Sequence, residues 1–230
     1  IAIAGLDGAG KSRLADALQP TSTPAKTAKP KQPRPPPIGL VVQTTRLEGT
    51  ELKLWDLGGH RRFRDDWPRY AADCAAIVYV VDCVDHARLA EARQALHQLL
   101  DEPATRGLPL LVLANKMDLL PLQLRADMEA EGWQPLARSL NLDCVTEHPW
   151  CILGVSAAHG LNLAQLRRWL VLVAYRRWPE RDDEGGAADD DSSWTRGVER
   201  LVSRLTRRHY HRQLVLSSEQ GLTLLPTAAT

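Results

Sequence analysis

Short apolar runs of β character alternate with stretches whose apolar residues recur every three or four positions, from Ile1 to about Arg177. The runs are Ile1 to Ala4, Leu40 to Leu47, Glu51 to Asp56, Ala75 to Asp82, Leu108 to Ala114 and Trp150 to Val155. Helical spacing covers Lys11 to Leu18, Ala87 to Leu100, Leu122 to Leu140 and Leu163 to Arg177. This alternation predicts an α/β fold with a mostly parallel six-stranded sheet and helices on both faces. Glu48-Gly49-Thr50 joins the second and third runs as a hairpin turn, which puts one antiparallel strand at an edge.

Two segments interrupt the rhythm. Residues 20–37 are rich in proline and carry Lys26, Lys29, Lys31 and Arg34, which predicts a solvated, polyproline-like loop. Residues 179–193 are acidic and rich in glycine and alanine, as in a flexible linker. Beyond them, in 194–230, Val198, Leu201, Val202 and Leu205 fall at helical spacing, so a helix and tail are expected to follow a body of residues 1–178.

Over 230 residues, 29 Lys and Arg balance 28 Asp and Glu, so no overall field draws the chain to nucleic acid and partners must be sought in local patches. Cys74, Cys83, Cys144 and Cys151 show no C-x-x-C spacing and fall in or beside expected strands, which suits reduced thiols of a cytoplasmic setting. No apolar run reaches the roughly 20 residues that span a bilayer. The chain starts inside what reads as a strand, so an N-terminal lipidation or targeting signal would precede Ile1.

Between the first strand and first helix stands Gly5-Leu-Asp7-Gly8-Ala9-Gly10-Lys11-Ser12-Arg13, the G-x-x-x-x-G-K-S spacing. A strand-to-helix corner of this kind aims backbone N–H groups at phosphate while Lys11 neutralises its oxygens and Ser12 ligates magnesium. A glycine-rich turn before a helix is the plain alternative. Trp55-Asp56-Leu57-Gly58-Gly59 closes the third run, where Asp56 can hold a magnesium-bound water and Gly59 can approach a terminal phosphate. Asn115-Lys116-Met117-Asp118 ends the fifth run; a carboxylate at Asp118 can accept both N1–H and N2–H of guanine, and Lys116 can lay its stem along the base. Ser156-Ala157 ends the sixth and offers a backbone N–H to the guanine O6. The last three are weak alone; all four in order, each at a strand's carboxyl end, point to GTP or GDP with Mg2+. A kinase or ATPase reading is disfavoured by Asp118.

These motifs, with Ile38-Gly39-Leu40 before the hairpin, Arg64-Asp-Asp-Trp67-Pro-Arg-Tyr70 and Val80-Val81-Asp82, resemble the Arf/Sar branch of small GTPases over residues 1 to about 177. The resemblance implies a P-loop GDP/GTP switch acting in membrane or ciliary trafficking, with peripheral membrane association and effector or regulator proteins as partners, another Arf-like GTPase among them. It also places His60 where most relatives carry the water-positioning glutamine, beside Gly59. Three departures stand out. Pro37 occupies the position of the family's magnesium-binding threonine and offers neither hydroxyl nor N–H, so the latch on the terminal phosphate is weakened and hydrolysis should be slow. Thr44 and Thr45 belong to the hairpin and cannot replace it. His60 can orient water as a neutral imidazole or be a solvated loop residue. The tail after Pro179 resembles that of the ciliary Arf-like protein thirteen subgroup, while His148-Pro-Trp-Cys-Ile is similar to Arf-like protein six and Val81 to His86 to Sar. A nucleotide-stabilised scaffold or exchange factor with no hydrolytic cycle is the alternative function.

Overall fold

The computed structural model describes residues 1–19, 39–131, 133–176, 214–217 and 221–224. The proline-rich loop with Pro37, the linker 179–193 and the helix expected after it lie outside the described residues. Six strands form the body of the sheet: β1 (Ala2–Ala4), β2 (Leu40–Leu47), β3 (Thr50–Leu57), β4 (Ile77–Asp82), β5 (Leu110–Asn115) and β6 (Trp150–Gly154). Their order is β2-β3-β1-β4-β5-β6, parallel throughout except for the β2–β3 hairpin, which runs Leu40 against Leu57 to Leu47 against Thr50.

The helices are α1 (Lys11–Ala17), α2 (Trp67–Ala71), α3 (Leu89–Leu100), α4 (Leu122–Ala130), α5 (Gln134–Ser139) and α6 (Leu163–Arg176). Alternation along each strand sends side chains to opposite faces of the sheet. Ile77, Tyr79 and Val81 pack with Trp67, Leu96, Leu99 and Leu136 from α2, α3 and α5. Their neighbours Val78 and Val80 pack with Leu14, Leu166 and Leu170 from α1 and α6 on the other face. Because both faces are covered, β4 and β5 are apolar almost end to end. His148 closes the base of the molecule, its two ring nitrogens facing the carbonyls of Leu108 at 2.9 Å and Leu100 at 3.2 Å.

Three expectations are corrected and one, the six-stranded sheet, is extended. The helix expected from Leu122 to Leu140 is two helices, α4 and α5. Pro135 sits in the first turn of α5, where it has no N–H to continue an earlier helix, and Trp133 turns to φ +63° to drive its ring into the core. A 3₁₀ segment, Arg61–Asp66, and α2 occupy a stretch given no element by its periodicity. Cys74, Cys83 and Cys151 are buried as expected, but Cys144 is exposed at the end of a short 3₁₀ turn. Finally, two short strands from the tail, β7 (Leu214–Ser217) and β8 (Gly221–Leu224), extend the sheet to eight strands among the described residues. β7 runs parallel to β6, with Cys151 opposite Leu214, and β8 antiparallel to β7. An uncovered edge of unpaired N–H and C=O groups on β6 is what such strands satisfy.

The ring of Trp133 fills the space above Gly154 so closely that an added Cβ would lie 2.1 Å from a ring carbon and 2.3 Å from the Met117 sulfur. Gly154→Ala should therefore cost about 1–3 kcal/mol through overpacking, read as a lower denaturant midpoint at unchanged slope. An unaltered midpoint would mean that Trp133 and Met117 give way freely.

Candidate functional site

The expected site residues gather at the carboxyl ends of β1, β3, β5 and β6, along one edge of the sheet. The loop from β1 to α1 carries Asp7, half-buried, Gly8, exposed, and buried Ala9, with Gly10 immediately before α1. The first residue of α1, Lys11, is only 5 % exposed and donates from Nζ to the carbonyls of Gly5 and Leu6, each at 2.8 Å. Burial pushes its pKa down to about 8, against the pull of Asp56 and Asp7. A buried ammonium beside bare backbone is poised to take an anion.

Ser12 on the next position donates its hydroxyl to Asp56 Oδ2 at 2.5 Å, linking α1 to the end of β3. Asp56 is buried, its pKa raised by desolvation against the opposing effects of Ser12 and Lys11, and its Oδ1 has no partner. A buried carboxylate oxygen without a donor beside a serine hydroxyl is a hard-oxygen pair suited to magnesium. No group of three or more His, Cys, Asp or Glu that could hold a metal occurs among the described residues. Magnesium fits that arrangement, because it takes one or two protein oxygens and completes its shell with water and phosphate.

At the other end of the edge, Asn115 bridges two loops. Its Nδ2 donates to the Ala9 carbonyl at 2.8 Å, and its Oδ1 accepts from the Ala157 N–H at 3.1 Å. Lys116 adopts φ +68° and pairs through Nζ with Asp82 Oδ2 at 2.5 Å. Asp118 accepts from Ser156 Oγ at 2.5 Å, and His159 stands 3.4 Å from its other oxygen. The hydroxyl of Ser156 holds the Asp118 pKa down, with smaller help from His159 and the exposed Arg13. Thus Lys11, Asn115 and Asp118 share one edge, as the motif order requires. The Ala157 amide expected to meet a base oxygen is instead donated to Asn115, and the Ser156 amide goes to Leu161 at 3.2 Å.

Gly59, His60 and Thr45 divide. Gly59 lies directly on the anion loop, whereas His60 is exposed at the start of the 3₁₀ segment. Thr45 commits its hydroxyl to the Leu18 carbonyl at 2.8 Å, which fixes it in the hairpin. Periodicity and motif did not single out Arg88 or Glu91, and they named Arg64 and Asp82 only within the resemblance, without a role; all four touch the site. Asp82 had a usable signal, since an aspartate ending an apolar strand stands where Asp56 and Asn115 do.

Residues 1–173 match the sequence model of the ADP-ribosylation factor family. ADP-ribosylation factor-like protein 8c of Arabidopsis thaliana is 33% identical over 171 residues, covering 74% of this chain and 85% of that protein. ADP-ribosylation factor-like protein 3 of Chlamydomonas reinhardtii is 34% identical over 171 residues, 74% of this chain and 88% of its own length. ADP-ribosylation factor-like protein 1 of Saccharomyces cerevisiae is 36% identical over 173 residues, 75% of this chain and 86% of its own. Relatives of different Arf-like types match about equally, so the likeness is to the family rather than a subgroup. Among solved structures, the Arl6 BBS3 small GTPase of Trypanosoma brucei, bound to the nucleotide analogue GppNp, superposes with a TM-score of 0.61 at 24% identity. That superposition covers 76% of this chain and 96% of the other, and establishes a shared fold.

The lowered pKa of Lys11 has a measurable sign. An anion that takes the ammonium as partner raises that pKa again, so above about pH 8 binding takes up a proton and weakens as pH rises. Affinity for inorganic pyrophosphate should be level below pH 8 and decline above it, by up to about tenfold per pH unit. Lys11→Arg, charged throughout, should remove that part of the slope. Titration calorimetry from about pH 7 to 9.5 decides it; equal slopes in the two proteins would exclude Lys11.

Proposed function

The chain belongs to the ADP-ribosylation factor family of small GTPases, and on that footing we propose that it binds GDP and GTP with magnesium and works as a slowly hydrolysing switch. The observation that carries this reading is the Asn115 bridge, which holds the loop of Lys11 and the loop of Asp118 on one sheet edge. A diphosphate and a purine joined by a ribose would lie along that edge. Lys11 would exchange the Gly5 and Leu6 carbonyls for phosphate oxygens. Asp118 would accept the two N–H groups of guanine, a pair that adenine does not present in that arrangement. Lys116, already turned back by its pairing with Asp82, would run its stem beside the base.

Magnesium, when bound, would supply positive charge to offset that of the phosphates. Ser12 and Asp56 are the residues to hold it, and the unpartnered Asp56 oxygen supports that assignment. For hydrolysis, Gly59 lies against the anion loop and His60 follows it, an imidazole able to orient water. Pro37, at the threonine position of the family, removes one magnesium donor and one amide, and this favours slow turnover. The same proline supports a second reading, a nucleotide-stabilised scaffold or exchange factor for a partner Arf-like GTPase. Family kinship and the basic residues Arg196, Arg200 and Arg204 support work at a membrane, that of the cilium included.

Fluorescent-nucleotide titration tests the reading directly. GDP and GTP should bind about a thousandfold more tightly than ATP, since an unpaired buried polar group rejects the wrong base strongly. Asp118→Asn should lower guanine affinity about a hundredfold and favour xanthine nucleotides. ATP bound as tightly as GTP would remove the proposal. In single-turnover assays, bound GTP should decay at a rate on the order of 10⁻⁴ s⁻¹ or slower; complete absence of decay favours the scaffold.

A further inference from the structure

Gly59 has no side chain by which to be held, yet its place is narrowly set. An added Cβ would lie 2.3 Å from the Asp7 amide nitrogen and 2.5 Å from both the Leu6 carbonyl carbon and Lys11 Nζ. The glycine backbone therefore rests on the anion loop itself. Its position must come from its peptide groups, and two side chains grip them. The buried indole of Trp67 donates from Nε1 to the Gly58 carbonyl at 3.0 Å, and Arg64 donates from Nε to the Gly59 carbonyl, also at 3.0 Å.

These two grips differ in kind. Trp67 is 1 % exposed and fixed by packing in the core. The side chain of Arg64, 10 % exposed, is fixed by charge: one terminal nitrogen pairs with Glu91 of α3 at 2.8 Å and the other lies 3.8 Å from Asp7 of the anion loop. The planar fork of arginine thus meets three separate elements with three nitrogens, which the single ammonium of lysine cannot do.

We propose that Arg64 is a positioning residue that registers Gly59 against the phosphate loop, with Glu91 as its anchor on α3, and so sets how well the protein discriminates GTP from GDP. The inference rests on the guanine-nucleotide reading above, in which Gly59 is the residue that approaches the terminal phosphate. A free Gly59 peptide must be ordered when GTP binds, and GDP makes no such demand. The Gly59 carbonyl belongs to the same peptide as the His60 N–H, so Arg64 also steadies the approach of His60.

Measured by nucleotide titration on the full chain, Arg64→Ala should lower the ratio of GTP to GDP affinity about tenfold and leave GDP affinity within about twofold, the scale of one lost charge-assisted hydrogen bond. Arg64→Lys, which keeps the charge and loses the fork, should resemble it. Glu91→Gln should lower the ratio by a smaller factor alone and add nothing to Arg64→Ala, because it acts through that arginine. Equal loss of GDP and GTP affinity would assign Arg64 to general stability and overturn the inference. So would an unchanged ratio in Arg64→Ala, or full rescue by lysine, while wild-type protein still binds guanine nucleotides. Failure of the wild type to bind them would instead remove the underlying reading, and this inference with it.

Discussion

The two halves of the site stand where they do because of one side-chain amide. Asn115 ends a wholly buried strand, paired with Asp82 of β4 and following Ala114, which is paired with Gly154 of β6, so its backbone is fixed. From there its amide gives a proton to Ala9 and takes one from Ala157, two residues lying 106 positions and 42 positions away in sequence. A carboxylate in the same place could accept but not donate, and would leave the Ala9 carbonyl without its partner. Donor and acceptor on one rigid plane serve both loops together, and the spacing between the anion-binding corner and Asp118 follows from it. At 2 % exposed, Asn115 makes these bonds away from competing water, where losing one partner is costly.

The division between what could be read in the sequence and what could not follows from the range of the interactions. The strands were legible because burial on both faces leaves a continuous apolar record, and the anion loop because a tight corner admits few residue types. The order of motifs along the chain also gave their common edge, since parallel strands all point their carboxyl ends the same way. The break at Trp133 was missed because the apolar spacing from Leu122 to Leu140 continues across it; Pro135 was the local signal, and the fit of Trp133 over Gly154 is the tertiary one. Arg88 and Glu91 were equally silent, and Arg64 was legible as part of a motif but not in its partners. Single charged residues carry no apolar period, and the pairing of Arg64 with Glu91 depends on how the 3₁₀ segment Arg61–Asp66 approaches α3.

Those silent charges resolve an oddity that the loop motif leaves open. Asp7 places a carboxylate inside a cradle meant for anions, and unopposed it would repel phosphate. It does not stand unopposed: Arg88 reaches it at 3.4 Å while pairing with Asp85 at 2.6 Å, and Arg64 approaches it from the other side. The carboxylate thereby becomes a local organiser of cations beside the site. Each guanidinium is tied to a second acid, Asp85 or Glu91, so neither is free to enter the cradle and compete with Lys11 for the anion. Lys11 differs: its hydrogen bonds go to backbone carbonyls, burial lowers its pKa, and Asp56 and Asp7 act on it only through their field. Each guanidinium, by contrast, is hydrogen-bonded to a carboxylate. On the nucleotide reading proposed above, a phosphate would meet one cation hydrogen-bonded only to carbonyls and two already paired with acids. That difference would let a loop containing an acid accept an anion while Arg64 stays on Gly59.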